Sequence, residues 1–205
     1  MQQELFGMQG AGESIQLNMV DADVHYYPSF LLPDQALHYF NLLKHKLEWR
    51  EEQIQLYGKL FKVPRLQAWY GDSEASYCYS NLTMQPNGWT DPLLTLRALC
   101  EQKTSHTYNS VLANLYRDGQ DSMGMHSDDE PELGLEPCIA SLSLGQERTL
   151  IFSHKSSKER IRLPLVSGSL LIMKGKTQKY WQHGIAKTKR PLQARVNLTF
   201  RTIFK

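Results

Sequence analysis

Two segments of the chain carry apolar residues at intervals of three and four. From residue 33 to residue 47, Leu37, Phe40, Leu43 and Leu47 would share one helical face, and Pro33-Asp34 suits a capped first turn. Residues 91 to about 103 repeat the pattern, with Pro92 in the first turn and Leu93, Leu94, Leu96 and Leu99 as the face to be buried. Downstream of Ser105 the period shortens to two. Residues 109–116, 138–144, 149–153, 160–165, 168–173 and 194–204 each read as a strand, punctuated by Gly, Pro, Asp and Ser clusters. Helices first and many short strands afterwards predict an α+β chain, an antiparallel double-sheet roll backed by helices on one side. Residues 1–20 hold no period and are expected to form a flexible arm, which leaves residues 21–205 as a single domain.

The chain's 205 residues fit one domain, and 41% hydrophobic with 21% charged residues is ordinary globular composition. Its longest apolar runs, such as residues 170–173, fall far short of the ~20 residues of a membrane helix. The first residues lack the basic segment and apolar core of a secretory signal. Cys78, Cys100 and Cys138 are odd in number and widely spaced, so neither a disulfide framework nor a CxxC pair is expected. A monomer in a reducing cytoplasm is the simplest expectation, nucleoid-associated in a bacterium or nuclear in a eukaryote. The net charge of +2 conceals an asymmetry. Residues 148–205 hold 14 basic residues against one acid, Glu159, whereas residues 1–147 hold 9 basic and 20 acidic residues. A basic C-terminal third suits a phosphate backbone, although two halves of one domain could simply neutralise each other.

Three constellations carry candidate chemistry. In the last strand, Arg195, Asn197, Thr199 and Arg201 share a face opposite Val196, Leu198 and Phe200. The two arginines would lie about 20 Å apart along it, so each would serve a different end of a site. Such a face could simply meet solvent, but an arginine fork also suits a small carboxylate. His126, Asp128 and a distal histidine could occupy one face of a ferrous ion and leave positions open. An HxD pair is common by chance, and His154 and His106 compete with His183. The placement of His183, between two strands after Tyr180-Trp181-Gln182, favours it. Asn114 and Tyr116 point the same way near the end of a strand that leads to the HxD loop, where amide and phenol could bind a dicarboxylate.

The ordered set Asn114-x-Tyr116-x-x-Gly119, His126-x-Asp128, His183 and Arg195-Val-Asn-Leu-Thr-Phe-Arg201 resembles the AlkB family of Fe(II)/2-oxoglutarate dioxygenases, most closely its duplex-DNA repair homologues. The resemblance runs from about Leu56 to Ile203 and takes in Val63-Pro64-Arg65, Tyr70-Gly71-Asp72, Asp129-Glu130, Ile139-Ala140-Ser141 and Leu163-Pro164-Leu165. It implies a double-stranded β-helix, or jelly-roll, core with N-terminal helices packed on one sheet. Residues 21–105 would form a nucleotide-recognition and helical support region, and residues 106–205 the catalytic roll. It implies Fe(II) on His126, Asp128 and His183. 2-Oxoglutarate would be held by Asn114, Tyr116, Arg195, Thr199 and Arg201, with Arg195 on the distal carboxylate and Arg201 beside the metal. O₂ would be the cosubstrate. The activity implied is hydroxylation of an N-alkyl group with release of formaldehyde, while 2-oxoglutarate becomes succinate and CO₂.

The implied substrate is alkylated DNA, of the 1-methyladenine and 3-methylcytosine type. Tyr57, on the Leu56-Tyr57-Gly58-Lys59 turn, would sit beside a flipped base, and Tyr77 and Tyr79, flanking Cys78, would offer stacking faces. Asp129 would contact the damaged base with Glu130 in support, and Arg65, Lys155 and Lys158 would meet phosphates. The same chemistry on RNA or on a protein side chain, a zinc hydrolase on the same triad, and a non-catalytic nucleic-acid-binding roll are the competing expectations.

Overall fold

A computed structural model describes residues 13–56, 59–75, 77–79 and 82–204. In chain order, β1 (Ile15–Gln16) and β2 (Asp23–Tyr27) precede helix α1 (Pro33–Lys46). Next come β3 (Gln53–Leu56), β4 (Lys59–Lys62), β5 (Leu66–Gly71), β6 (Tyr77–Tyr79), β7 (Leu82–Met84) and helix α2 (Asp91–Thr104). The C-terminal half holds β8 (Ser110–Tyr116), β9 (Met123–His126), β10 (Ile139–Gly145), β11 (Arg148–His154), β12 (Arg160–Leu165) and β13 (Ser169–Lys174). A short helix α3 (Thr177–Tyr180), β14 (Trp181–Ile185) and β15 (Arg195–Arg201) complete the order.

The strands build two facing antiparallel sheets. One has seven strands in the order β1-β2-β13-β10-β15-β8-β5, the other four in the order β12-β11-β14-β9, and β3-β4 and β6-β7 are separate hairpins. This is the expected α+β jelly-roll, but the helices do not come first: β1 and β2 precede α1, and five strands separate α1 from α2. Alternation gives the large sheet two different buried faces. Ala140, Leu142, Leu170, Ile172, Val196, Leu198 and Phe200 pack against Leu43 and Leu47 at α1 and Leu93, Leu96 and Cys100 of α2. The opposite face places Ile139, Leu171 and Met173 against Leu150, Phe152 and Ile185 of the small sheet.

Several details differ from expectation. Residues 13–20 are not a loose arm. Ile15 and Gln16 pair with Tyr26 and His25, Met19 is buried, and Trp181 Nε1 donates to the Val20 carbonyl at 2.8 Å. The buried face of α1 is Ala36 and Leu43, while Leu37 is 58% exposed. In α2, Leu94 is exposed and Cys100 takes the inner position. Both helices lie flat on a sheet whose surface selects a narrower stripe than periodicity alone indicates. The cap on α1 is also different, because the Gln35 side chain accepts from the Leu32 backbone N–H at 3.1 Å.

Candidate active site

The last strand's polar face turns inward. Arg195, Asn197, Thr199 and Arg201 line a cavity between the sheets together with Asn114, Tyr116, His126, Asp128 and His183. The cause is layering: β15 belongs to the large sheet, whose one face is packed by the helices and whose other face meets the small sheet, so both faces of the strand are covered.

His126 ends β9 and is paired in register with His183 of β14, which brings their ring centroids within 4.4 Å. Asp128 follows one residue beyond Ser127 and lies 3.8 Å from Nε2 of each histidine. One donor atom from each of the three falls within 4.8 Å of the others, a spacing that a single metal ion bridges. The loop is held by two hydrogen bonds to the chain ahead of His183. The Asp128 N–H donates to Gln178 Oε1 at 3.0 Å, and Ser127 Oγ donates to the Trp181 carbonyl at 3.0 Å. His126 Nδ1 lies 2.9 Å from the Gly124 carbonyl, which can only accept, so the proton sits on Nδ1 and Nε2 is left for a metal.

Electrostatics and burial keep Asp128 and His183 in ligand form. Burial alone would raise the Asp128 pKa, but Arg201, His183 and His126 outweigh it and hold the carboxyl below its usual value. Arg201 Nη2 donates to Asp128 Oδ1, while Oδ2 is buried with no partner. Burial is the largest influence on His183 and lowers its pKa to about 4, partly opposed by Asp128, so the imidazole is neutral at physiological pH. His154 and His106 are engaged elsewhere. His154 Nδ1 accepts from the Ser156 and Ser157 N–H groups, and His106 Nε2 lies 3.2 Å from Thr202 Oγ1.

At the other end of β15 the Arg195 guanidinium is buried with no carboxylate beside it. Nη2 donates to Ser143 Oγ at 2.9 Å, and Nε and Nη1 have no partner. The Tyr116 ring has two cationic neighbours, Arg195 at 5.1 Å and Arg148 at 5.6 Å. Asn197 Nδ2 donates to Ser141 Oγ and accepts through Oδ1 from Thr199 Oγ1. An unpaired buried cation facing a cavity is costly unless an anion joins it. The donors present fit a dicarboxylate with one end at Arg195 and the other near Arg201 and the triad, and the orphaned Asp128 Oδ2 fits a metal ion.

A second, wider cavity adjoins the first and shares Arg201 with it. Glu48, Glu52, Glu130, Gln67 and Trp69 contribute to its wall. Glu130 Oε2 is buried and unpartnered, whereas Asp129 is turned outward and accepts from Lys155 Nζ at 3.1 Å. Of these two neighbours it is therefore Glu130, not Asp129, that faces this cavity. Arg65 does not face solvent as a phosphate contact would: it is 8% exposed and bonded to Asn114 and Ser122. Tyr57 and Gly58 lie outside the described residues. Lys59 opens β4, and Tyr77, Cys78 and Tyr79 form β6, their side chains falling outside the description as well.

Ser141, Ser143 and Gln178 take part in the site without having been singled out from the sequence for it. The two serines alternate along β10 as Asn197 and Thr199 do along β15, a period-two signal that was legible. Gln178 carries no such signal, because its role depends on α3 meeting the HxD loop.

Comparison with known proteins agrees with this architecture. The family model described as "2OG-Fe(II) oxygenase superfamily" matches residues 23–201. Mouse "Alpha-ketoglutarate-dependent dioxygenase alkB homolog 3" is 44% identical over 188 residues, covering 87% of this chain and 65% of that protein. Bovine "DNA oxidative demethylase ALKBH2" is 44% identical over 159 residues, covering 74% and 57% respectively. The chain thus spans less than two thirds of the length of these relatives. The solved structure described as OsALKBH1 superimposes with a TM-score of 0.61 at 17% identity, covering 87% of this chain and 97% of that one, a likeness of fold. The family sets Fe(II) and 2-oxoglutarate as the cofactors that the triad and the β15 arginines could hold. With a family model matched across nearly the whole roll and AlkB homologues at this identity, the chain belongs to the 2OG-Fe(II) oxygenase superfamily and, within it, to the AlkB family.

Proposed function

We propose that this protein is an oxidative demethylase of alkylated DNA bases, acting on N-methyl lesions of the 1-methyladenine and 3-methylcytosine type. One observation carries the reading: Arg201 is common to the cavity that holds the triad and Arg195 and to the wider, acid-lined cavity beside it. A cosubstrate site and a substrate site therefore meet at Arg201, which is bonded to the ligand candidate Asp128. The relatives named as dioxygenase and DNA oxidative demethylase support the same reading.

His126, Asp128 and His183 are assigned to Fe(II), and Asn114, Tyr116, Arg195, Thr199 and Arg201 to 2-oxoglutarate. When bound, the metal, 2-oxoglutarate and O₂ supply the oxidant: one oxygen atom ends in succinate as CO₂ leaves, and the other enters the alkyl C–H bond. The hydroxymethyl product then breaks its N–C bond, and formaldehyde departs as the base recovers its nitrogen. The chain's own groups bind and orient. Arg195 neutralises the far carboxylate, Arg201 holds Asp128 in the ionised form, and the two sheets exclude water from the cavity. A 1-methyladenine or 3-methylcytosine base is cationic, so Glu130 favours its entry. Tyr57, Tyr77 and Tyr79 are assigned to stacking against the extruded base, and Lys155 and Lys158 to the phosphate rim. Both cavities are complete within one chain, which fits action as a monomer wherever the DNA resides. No helix among the described residues is long and apolar enough to cross a membrane.

The test is aerobic incubation with Fe(II), 2-oxoglutarate and ascorbate on oligonucleotides carrying one 1-methyladenine, as single-stranded DNA, duplex DNA and RNA. Mass spectrometry would follow loss of the methyl group. Demethylation absent in Asp128→Ala is expected, with a DNA form the faster substrate. Faster action on RNA would overturn the DNA assignment, and succinate formed without demethylation would overturn the base-lesion assignment.

A further inference from the structure

Arg65 is a buried cation that forms no salt bridge among the described residues, although the charge of Asp121 reaches it, and it lines neither cavity. Its Nε donates to Asn114 Oδ1 at 2.7 Å, and Gln67 Nε2 donates to the same oxygen at 3.1 Å. Both lone pairs of that oxygen are then engaged, so the Asn114 carboxamide has one orientation, with Nδ2 free for the cavity that it lines with the triad and Arg195. A flipped amide would set Nδ2 against two donors and turn its oxygen toward the carboxylates of the ligand.

The same guanidinium reaches the strand that carries the first metal ligand. Arg65 Nη1 donates to the Ser122 carbonyl at 3.3 Å, and the Ser122 N–H donates to the Pro64 carbonyl at 2.9 Å, one residue before β9. We propose that Arg65 is a positioning residue of the cosubstrate site: it fixes the Asn114 amide as a donor to the dicarboxylate and contributes nothing to phosphate binding. The inference rests on the reading that this cavity takes 2-oxoglutarate. The geometry explains why the position carries arginine, since the Nε donor and the Nη1 donor serve two acceptors that one lysine ammonium would not span in the same plane.

The experiment is a double-mutant cycle with Arg65→Lys, Asn114→Ala and the pair, using Mn(II)-loaded protein without oxygen. Calorimetry would measure the dissociation constant of 2-oxoglutarate, and fluorescence anisotropy that of an oligonucleotide. Arg65→Lys is expected to weaken 2-oxoglutarate about tenfold, the effect of one lost hydrogen bond. In the Asn114→Ala background it should add little, and oligonucleotide and Mn(II) affinities should stay unchanged. Additive losses, unchanged 2-oxoglutarate affinity in Arg65→Lys, or a selective loss of oligonucleotide affinity would each overturn the proposal. If the parent protein fails to bind 2-oxoglutarate, the cosubstrate reading itself falls. Should Arg65→Lys fold poorly, Gln67→Leu removes the second donor to the same oxygen and is expected to weaken 2-oxoglutarate in the same direction.

Discussion

Arg195→Met should make the ligand-free protein more stable while destroying its response to 2-oxoglutarate. The parent guanidinium is almost wholly buried, its pKa is lowered chiefly by that burial, and two of its nitrogens have no partner. Each orphaned donor costs on the order of 1–3 kcal/mol. Against this stand one hydrogen bond to Ser143 and the Tyr116 ring 5.1 Å away, together about 2 kcal/mol. At the middle of that range the balance leaves the cation a liability of about 2 kcal/mol in the empty cavity. Methionine has a similar reach, fills irregular space and carries no charge, so it removes the liability without opening a large void.

For a 205-residue chain the unfolding entropy is about 0.4 kcal/mol per degree, so the variant's Tm should rise by roughly 5 °C. In the parent loaded with Mn(II), 2-oxoglutarate at a hundred times its Kd adds about 2.7 kcal/mol, some 6 °C. That ligand-induced shift should vanish in Arg195→Met. Thermal scans by circular dichroism, with and without 2-oxoglutarate, measure both quantities. A lower Tm with the ligand shift intact would refute the reasoning and make Arg195 a structural residue.

Gly184→Ala would drive a Cβ to 2.9 Å from the Gly124 and Met123 carbonyl oxygens, which cannot move aside as a side chain can. It should destabilise by about 1–3 kcal/mol in urea titrations and weaken Co(II) binding by prising β9 from β14. In the metal-free protein His183 has a pKa of about 4 against 6.5 for its unfolded counterpart, so the unfolded chain binds the extra proton between those values. Stability is therefore full above about pH 6.5 and falls by roughly 3 kcal/mol on descent to pH 4, a slope that denaturant titrations should find reduced in His183→Gln. Glu130→Gln should lower kcat/KM for cationic 1-methyladenine about tenfold relative to a neutral lesion, because its buried, unpartnered carboxylate oxygen is one of the negative groups on that cavity's wall. Equal losses on both lesions would show that Glu130 shapes the cavity without selecting charge.

Much of the roll is legible in the order of residues, for a physical reason. Strands such as β10, β13 and β15 are short, β-branched or leucine-rich, and bounded by turn residues, so local preference and final structure agree. The helices are legible as helices, but Leu37 and Leu94 show the limit: which apolar residues face inward is set by the curvature of the sheet beneath. The ligand trio is legible as residue types, since few other arrangements of histidine and aspartate leave positions open on a ferrous ion. The choice of His183 over His154 could be argued from placement, yet it is settled by the β9–β14 register, which pairs His183 with His126. Between Asp129 and Glu130 the resemblance favours Asp129 for the base contact, whereas Glu130 is the one on the cavity wall. The chain turns between them into the helical turn at Pro131–Leu133, and Lys155, 26 residues away, draws Asp129 to the surface.

The polar face of β15 shows why a site can hide in a clear pattern. Alternation states only that Arg195, Asn197, Thr199 and Arg201 oppose Val196, Leu198 and Phe200; it does not say which side is wet. An edge strand with this sequence would hydrate its arginines. The small sheet facing this side of β15 removes that option, and Ser141 and Ser143 then supply only some of the hydrogen bonds the stripe requires. The unmet remainder, at Arg195 and at Arg201 Nε, lies along one cavity wall with Asp128 Oδ2 at its metal end. Guanidinium nitrogens left without partners along such a wall, beside one carboxylate oxygen left without a partner at the metal position, are complementary to an anionic chelate of a metal ion. The fold thus holds ready a charge pattern that is unfavourable empty and becomes favourable only with both cofactors in place.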